Sequence, residues 1–113
     1  MIGTGTSAKQ SITPPGFEGG DENHARGHLL AKQLGGSGDN ANNLVTLYQK
    51  PTNNPNMRKV ENQVVNAVKN DEIVNYKVTP IYNGSDPKPI AITMEAKGNK
   101  GLNIAVSILN ISY

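Results

Sequence analysis

The residues of this chain best suited to chemistry are its two histidines. His24 and His28 are the only histidines among 113 residues, and they lie four positions apart. A neutral imidazole can accept a proton near neutral pH or bind a metal ion. On a helix the two rings would share a face and could bind zinc, but two ligands alone make a poor zinc site. The alternative is that one or both are exposed polar residues without a chemical role.

Polar residues on both sides of His28 extend the set of candidates. Arg26 lies two positions before it, Asn43 begins an apolar stretch, Asn53 follows ten residues later, and Glu61 comes eight residues after that. Amide and carboxylate oxygens are the ligands that a hard divalent cation prefers. These residue types would suit a hydrolytic site with a basic imidazole and a bound cation.

The spacing of Asn53 and Glu61 limits how they can meet. Eight residues of α-helix span about 12 Å, so the two side chains cannot approach one ion if both lie on one regular helix. Pro55 disfavours helical backbone at Asn54. If Asn53 and Glu61 are to approach one ion, Asn53 must therefore precede the helix, in backbone that curls back toward Glu61, and Asn54 or Asn56 could compete with Asn53 for the role of ligand.

The elements that must position these residues follow from periodicity. A helix is predicted over residues 55–69, with Asn54 as N-cap and Pro55 in the first helical position. Apolar side chains recur there at steps of three and four, which makes one buried stripe: Met57, Val60, Val64 and Val68. Residues 25–34 fit a strand or a short helical turn. Alternation and β-branched residues predict strands over residues 43–48, 72–82, 89–96 and 102–111, the last three as an antiparallel meander.

Composition sets the outer limits. A chain of 113 residues with 35% hydrophobic residues fits one domain, residues 1–113, in which residues 1 to about 12 could be flexible. The absence of cysteine excludes a zinc site built on thiolates. No apolar run is long enough for a membrane span, and residues 1–10 lack the pattern of a signal peptide. The net charge of +2 permits nucleic-acid binding if the basic groups cluster.

The ordered motifs resemble the DNA/RNA non-specific endonucleases, also called ββα-metal or His-Me finger nucleases. Within that family they are most similar to the branch that forms C-terminal toxin domains of secreted bacterial proteins. In that family an Asp-Arg-Gly-His signature precedes a loop and an Asn-Leu-Val strand; an Asn then opens the metal helix, and a Glu follows eight residues later. The matching stretches here are residues 25–28, 34–36, 43–45 and 53–61. The resemblance covers roughly residues 13–82 and implies an α+β fold with a ββα-metal core.

The resemblance also implies a role for each candidate. His28 would be the general base, Asn53 would bind Mg²⁺ or another divalent cation such as Mn²⁺ directly, and Glu61 would hold the cation through water. Asn43 would support the site by hydrogen bonds, and Arg26 would contact phosphate or the catalytic loop. The residues expected to contact nucleic acid are Arg26, Lys32, Lys50 and Arg58; each could instead be a solvated surface charge.

Two departures from the family pattern are visible. Ala25 replaces the signature Asp, which in the family helps to orient the catalytic loop. Support for His28 would then have to come from His24, Asn23 or a backbone carbonyl. The spacing from Asn43 to Asn53 is also one residue longer than the resemblance leads us to expect.

The sequence therefore predicts a metal-dependent endonuclease that hydrolyses DNA, with RNA as an open alternative. The resemblance implies a toxin domain of a secreted effector that acts in the cytoplasm of a target cell and is blocked by a cognate immunity protein. Because Ala25 replaces the Asp, the alternative is a nucleic-acid-binding module of the same fold with impaired catalysis. A third hypothesis is a small structural or adaptor domain in which the histidines are incidental.

Overall fold

The computed structural model describes residues 3–112 as a mixed α/β fold. A two-stranded antiparallel sheet comes first, one α-helix follows, and a three-stranded antiparallel sheet closes the described chain. This order confirms the predicted α+β class, with a ββα core followed by a β-meander. The elements are β1 (His24–His28), β2 (Leu44–Tyr48), α1 (Arg58–Lys69), β3 (Val74–Ile81), β4 (Ala91–Gly98) and β5 (Asn103–Leu109).

Strands β1 and β2 form a hairpin with a long connection. His24 pairs with Tyr48 at one end, and His28 pairs with Leu44 at the other. The ambiguous stretch over residues 25–34 is therefore a strand followed by a 3₁₀ turn, Lys32–Leu34. Because the two histidines lie on a strand, four residues separate them by about 13 Å, and the two-histidine zinc site is excluded.

Helix α1 confirms the predicted helix but begins three residues later than predicted. A wider turn, Thr52–Met57, precedes it, and in this turn the Asn56 N–H donates to the Pro51 carbonyl five residues back (3.0 Å). Asn54 has extended backbone (φ −140°, ψ 118°), so the chain bends there, as Pro55 predicted. The turn is fastened to the segment that follows β5, because the Thr52 hydroxyl accepts a hydrogen bond from the Ile111 N–H (2.8 Å).

The apolar face of α1 packs between the hairpin and the meander. Its predicted stripe is confirmed: Met57 and Val60 are buried in one apolar cluster, and Val64 is buried in a second cluster, against which Val68 packs. The meander pairs β3 with β4 and β4 with β5, and its central strand contributes the buried side chains of Ile92 and Met94. In the part of the chain that the structure describes, no helix has the length and apolar character that crossing a membrane requires.

The N-terminal segment, residues 3–9, lies along the loop that follows β1. The Thr6 N–H donates to the Gly36 carbonyl (3.1 Å), and the Lys9 N–H donates to the Gly38 carbonyl (2.8 Å). This segment belongs to the stretch, residues 1 to about 12, for which flexibility was considered. In the structure its backbone is hydrogen-bonded to the loop after β1. Positions 1 and 2 of that stretch lie outside the described residues.

Candidate active site

His28 is the last residue of β1, and its position follows from the packing of Gly27. A Cβ atom on Gly27 would lie 2.2 Å from Leu47 Cδ1, so this face of the strand is closed by the core. Neighbouring side chains on a strand point to opposite faces. His28 therefore points away from Leu47 and lines a cavity of about 350 Å³. Its Nε2 lies 2.8 Å from the backbone carbonyl oxygen of Thr6.

Asn53 lines the same cavity from the turn before α1. Its Nδ2 donates to Gln49 Oε1 (2.9 Å), and Gln49 in turn follows the end of β2. With the amide nitrogen engaged, the Oδ1 atom is the part of the side chain available to a cation. Asn54, an alternative ligand, also lines the cavity, whereas Asn56 is not among its lining residues.

Glu61 reaches the cavity from the first turn of α1 and is only 8% exposed. Burial raises its pKa from 4.5 to about 7, and the nearby Arg58 guanidinium lowers the pKa and offsets part of this effect. Tyr76 does not line this cavity, and its buried hydroxyl has no hydrogen-bond partner within residues 3–112. Burial and the Glu61 charge both raise the pKa of Tyr76 above its ordinary value, so this hydroxyl stays protonated.

Five of the predicted site residues thus line one cavity, although they come from four elements: β1, the 3₁₀ turn after it, the turn before α1, and α1 itself. The hairpin strand, the turn before the helix and the helix itself each bring a candidate for catalysis or metal binding. Two cationic side chains, Lys32 and Arg58, line the same cavity. The predicted residues brought together are His28, Lys32, Asn53, Arg58 and Glu61.

Asn43 is not a lining residue of the cavity, but it holds the loop that leads away from His28. Its Nδ2 donates to the carbonyls of Leu30 (3.1 Å) and Ser37 (3.0 Å), and its Oδ1 accepts from the Leu30 N–H (2.9 Å). Its own carbonyl accepts from the Leu29 N–H (2.9 Å). The predicted supporting role for Asn43 is compatible with these contacts.

Arg26 lies outside the cavity lining. Its Nε donates to the Ile12 carbonyl (2.8 Å), its Nη2 donates to the Gln10 carbonyl (3.1 Å), and its guanidinium stacks 4.3 Å above the Phe17 ring. Its donors are directed toward the N-terminal stretch of the chain, so a phosphate contact by Arg26 stays a prediction.

Lys50 also lies outside the cavity lining. It is exposed, and its backbone N–H and carbonyl are both hydrogen-bonded to the Asn23 side chain. A role for Lys50 in nucleic-acid binding stays a prediction.

The structure also shows which group contacts His28 where the Asp of the signature is replaced by Ala25. His24 is buried between Phe17 and Tyr48, and its Nδ1 accepts from the Glu18 N–H (2.9 Å). Neither His24 nor Asn23 contacts His28 in this arrangement. Of the three alternatives considered for supporting His28, namely His24, Asn23 and a backbone carbonyl, the structure provides the third, as the carbonyl of Thr6.

Two features of the site escaped the sequence reasoning. Gln49 orients Asn53, and the backbone around Gly3 and Gly5 forms part of the cavity wall. The role of Gln49 could have been predicted from the sequence, because it is a polar residue four positions before the proposed ligand Asn53. The backbone around Gly3 and Gly5 could not have been predicted as cavity wall, because glycines have no side chain whose chemistry indicates a role.

The donor set determines which cation would fit. Within residues 3–112 there is no group of three or more His, Cys, Asp or Glu side chains that could hold a metal ion. The oxygen donors at the cavity include the side-chain amides of Asn53 and Asn54 and the buried carboxyl of Glu61. Oxygen donors supplemented by water suit Mg²⁺, which retains several waters in protein sites.

A β-hairpin, a turn and a helix that surround one cavity define the ββα-metal nuclease fold. The model of the family described as DNA/RNA non-specific endonuclease matches residues 1–100, and the chain belongs to this family. Three solved structures that it resembles are nucleases as well. A comparison with curated proteins finds no match.

The structural relatives cover most of this chain. NucA from Streptococcus agalactiae with magnesium bound is 28% identical over 95% of this chain, with a TM-score of 0.83. NucA without metal is 28% identical over 94% of it, with a TM-score of 0.81. Sda1 nuclease with bound zinc is 32% identical over 79% of it, with a TM-score of 0.73. The chain spans only 58%, 59% and 39% of these structures, respectively.

Proposed function

We propose that this chain is a divalent-metal-dependent, sequence-non-specific endonuclease that hydrolyses phosphodiester bonds of DNA. The observation that carries the proposal is the convergence of His28, Asn53 and Glu61 on one cavity. Each of these side chains has a functional group that the reaction needs: a base, an amide oxygen and a carboxyl. Membership of the endonuclease family supports the same conclusion.

The chain's own residues would act in a single hydrolytic step. His28 accepts a proton from the attacking water as the water oxygen bonds to phosphorus. The bond from phosphorus to the leaving oxygen then breaks, and the leaving oxygen takes a proton from solvent. Lys32 and Arg58 bind the phosphate by charge, which gives contacts that are independent of base sequence. A general base contributes on the order of 10²–10⁴ in rate.

The cation would be held by Asn53 through Oδ1 and by Glu61 through water. When bound, it neutralises the negative charge that develops on the phosphate. The magnesium in NucA and the zinc in Sda1 support a divalent ion. We propose Mg²⁺, or Mn²⁺ in its place, because the available donors here are oxygens.

The test is cleavage of plasmid DNA, and of RNA in parallel, with Mg²⁺ or with EDTA. Wild type should nick and linearise plasmid only with the metal, and His28→Ala should lose at least about a hundredfold in rate. His24→Ala is a poor control because His24 is buried, so exposed Lys97→Ala serves instead. Cleavage by wild type in EDTA, or equal cleavage by His28→Ala, would contradict the proposal.

The same samples test the alternative of a binding module with impaired catalysis, for which Ala25 is the reason. That alternative predicts DNA binding that weakens as salt rises, with no cleavage at any metal concentration. The contact between Thr6 and His28 supports the nuclease instead, because it supplies a partner for the imidazole in the absence of the Asp.

We also propose that the domain is delivered as a toxin to the cytoplasm of a target cell, where an acidic immunity protein blocks the site. The support is the resemblance of the sequence motifs and the cationic lining contributed by Lys32 and Arg58. Expression inside bacterial cells tests the first part: wild type should kill the cells, and His28→Ala should not. Equal growth of cells that express either protein would contradict the toxin role.

A further inference from the structure

We propose that the N-terminal segment, residues 3–9, is a positioning element of the active site that fixes the tautomer of His28. Its catalytic consequence rests on the proposed nuclease function, but the tautomer itself does not. The inference combines one hydrogen bond to the imidazole with the dense contacts that hold the segment against the loop after β1. It assigns a task to a stretch of small residues that the family motifs leave unexplained.

The hydrogen bond determines which ring nitrogen is the base. Nε2 of His28 lies 2.8 Å from the Thr6 carbonyl oxygen. A carbonyl oxygen can only accept, so Nε2 must carry the proton. The neutral ring then has its lone pair on Nδ1, and Nδ1 is the atom that takes the proton from water. A ring without this contact could adopt either tautomer, and one of the two has no lone pair on Nδ1.

The segment is anchored along the loop by backbone and side-chain hydrogen bonds. The Thr6 hydroxyl accepts from the Gly38 N–H (2.7 Å), beside the backbone bonds of Thr6 and Lys9 described above. The Lys32 Nζ donates to the Ser7 hydroxyl (2.9 Å). These bonds lie on both sides of the Thr6 carbonyl, so they hold it in place against the imidazole.

Glycine is required where the segment and the loop approach most closely. A Cβ atom on Gly5 would lie 2.0 Å from the Lys32 carbonyl oxygen and 2.8 Å from the Gly36 carbonyl oxygen. A Cβ atom on Gly38 would lie 1.9 Å from the Ser7 carbonyl oxygen. Any side chain at these positions must push the backbones apart, and Thr6 would move with them.

Two substitutions in the segment test the inference, with one matched control. Gly5→Ala adds a methyl group that collides with backbone. Thr6→Val replaces the hydroxyl by a methyl group, which removes the acceptor for the Gly38 N–H without changing the number of heavy atoms. Gly20→Ala is the control, because a Cβ atom there meets nothing within 4 Å. Circular dichroism should show that the variants are folded. Thr6→Val provides the test if Gly5→Ala does not fold.

The decisive readout is a long-range ¹H–¹⁵N correlation spectrum of the metal-free protein at a pH where the imidazoles are neutral. We expect wild-type His28 to be the Nε2–H tautomer, and both variants to show a mixture of tautomers. His24 is an internal reference, because its Nδ1 accepts from the Glu18 N–H and its tautomer should not change. An Nδ1–H tautomer for His28 in wild type would overturn the inference, as would an unchanged tautomer in both variants.

Kinetics provide the second readout. With saturating Mg²⁺, kcat of Thr6→Val should fall about tenfold or more while KM changes by less than about threefold, because this substitution disturbs the base and, unlike Gly5→Ala, adds no clash with the backbone of Lys32. Full kcat in a variant with mixed tautomers would overturn the catalytic part. If wild type cleaves no nucleic acid but its tautomer depends on Gly5, the nuclease proposal fails and the positioning inference stands.

Discussion

Replacement of Glu61 by glutamine should stabilise the metal-free protein, because burial of an ionised carboxylate opposes folding. The pKa of Glu61 rises from 4.5 to about 7 in the fold. Each pKa unit corresponds to about 1.4 kcal/mol, so the ionised carboxylate lowers the free energy of unfolding by about 3 kcal/mol above pH 7. A glutamine side chain has nearly the same shape as glutamate and carries no charge. The variant should therefore be more stable than wild type by up to that amount.

The effect should depend on pH in a defined direction. The unfolded chain releases this proton near pH 4.5, whereas the folded chain retains it until about pH 7. Between these values the folded state binds more protons, so the stability of wild type falls as the pH rises, and it levels off above the folded pKa. Near pH 4.5 and below, Glu61→Gln and wild type should be almost equally stable.

The assay is urea unfolding in EDTA at pH 5 and pH 8, followed by circular dichroism. Glu95→Gln is the matched control, since Glu95 is exposed on β4 and its substitution should change stability by less than about 0.5 kcal/mol. A Glu61→Gln protein no more stable than wild type at pH 8 would refute the reasoning. So would a gain of the same size at both pH values, because the gain would then not arise from ionisation.

Three further predictions concern other parts of the site. Gln49→Leu removes the acceptor that orients Asn53, so calorimetry should show about 10–100-fold weaker Mg²⁺ binding; unchanged affinity would contradict this role. Gly27→Ala places a methyl group against Leu47, so urea unfolding should show a free energy of unfolding lower by about 1–3 kcal/mol. A variant as stable as wild type would contradict this, because the hairpin would then accommodate the methyl group at no cost. Arg58→Ala removes one phosphate contact, so the slope of log binding constant against log salt should shrink by about one; an unchanged slope would exclude that contact.

The sequence predicted the fold where periodicity determines structure. The stripe that includes Val60 and Val64 determined the helix, and alternation determined the meander strands. The start of the helix was misplaced, because the wide turn before Arg58 depends on tertiary contacts such as that between Thr52 and Ile111. Propensities at Pro55 indicated the bend there, but they could not indicate the i+5 hydrogen bond that replaces the first helical turn.

The sequence predicted those site residues whose side chains carry a functional group suited to hydrolysis or metal binding. His28, Asn53 and Glu61 have functional groups that suggest a role, and the structure places all three at one cavity. The Thr6 carbonyl could not be identified in this way, because every residue has a carbonyl and only the folded chain decides which one meets the imidazole. For Arg26 the resemblance implied a contact with phosphate or the catalytic loop; two of its donors reach the backbone carbonyls of Ile12 and Gln10, and the phosphate contact stays a prediction.

The energetics of Glu61 connect stability with function in this domain. A buried carboxyl with a raised pKa destabilises the metal-free fold when it ionises. A cation held at the cavity would favour the ionised carboxylate and reverse that effect. Binding to the folded state alone stabilises it by about 2.7 kcal/mol at a hundred times the Kd, which is close to the destabilisation expected from Glu61. The same carboxyl that weakens the metal-free chain would therefore make its full stability depend on the ion that its proposed chemistry requires.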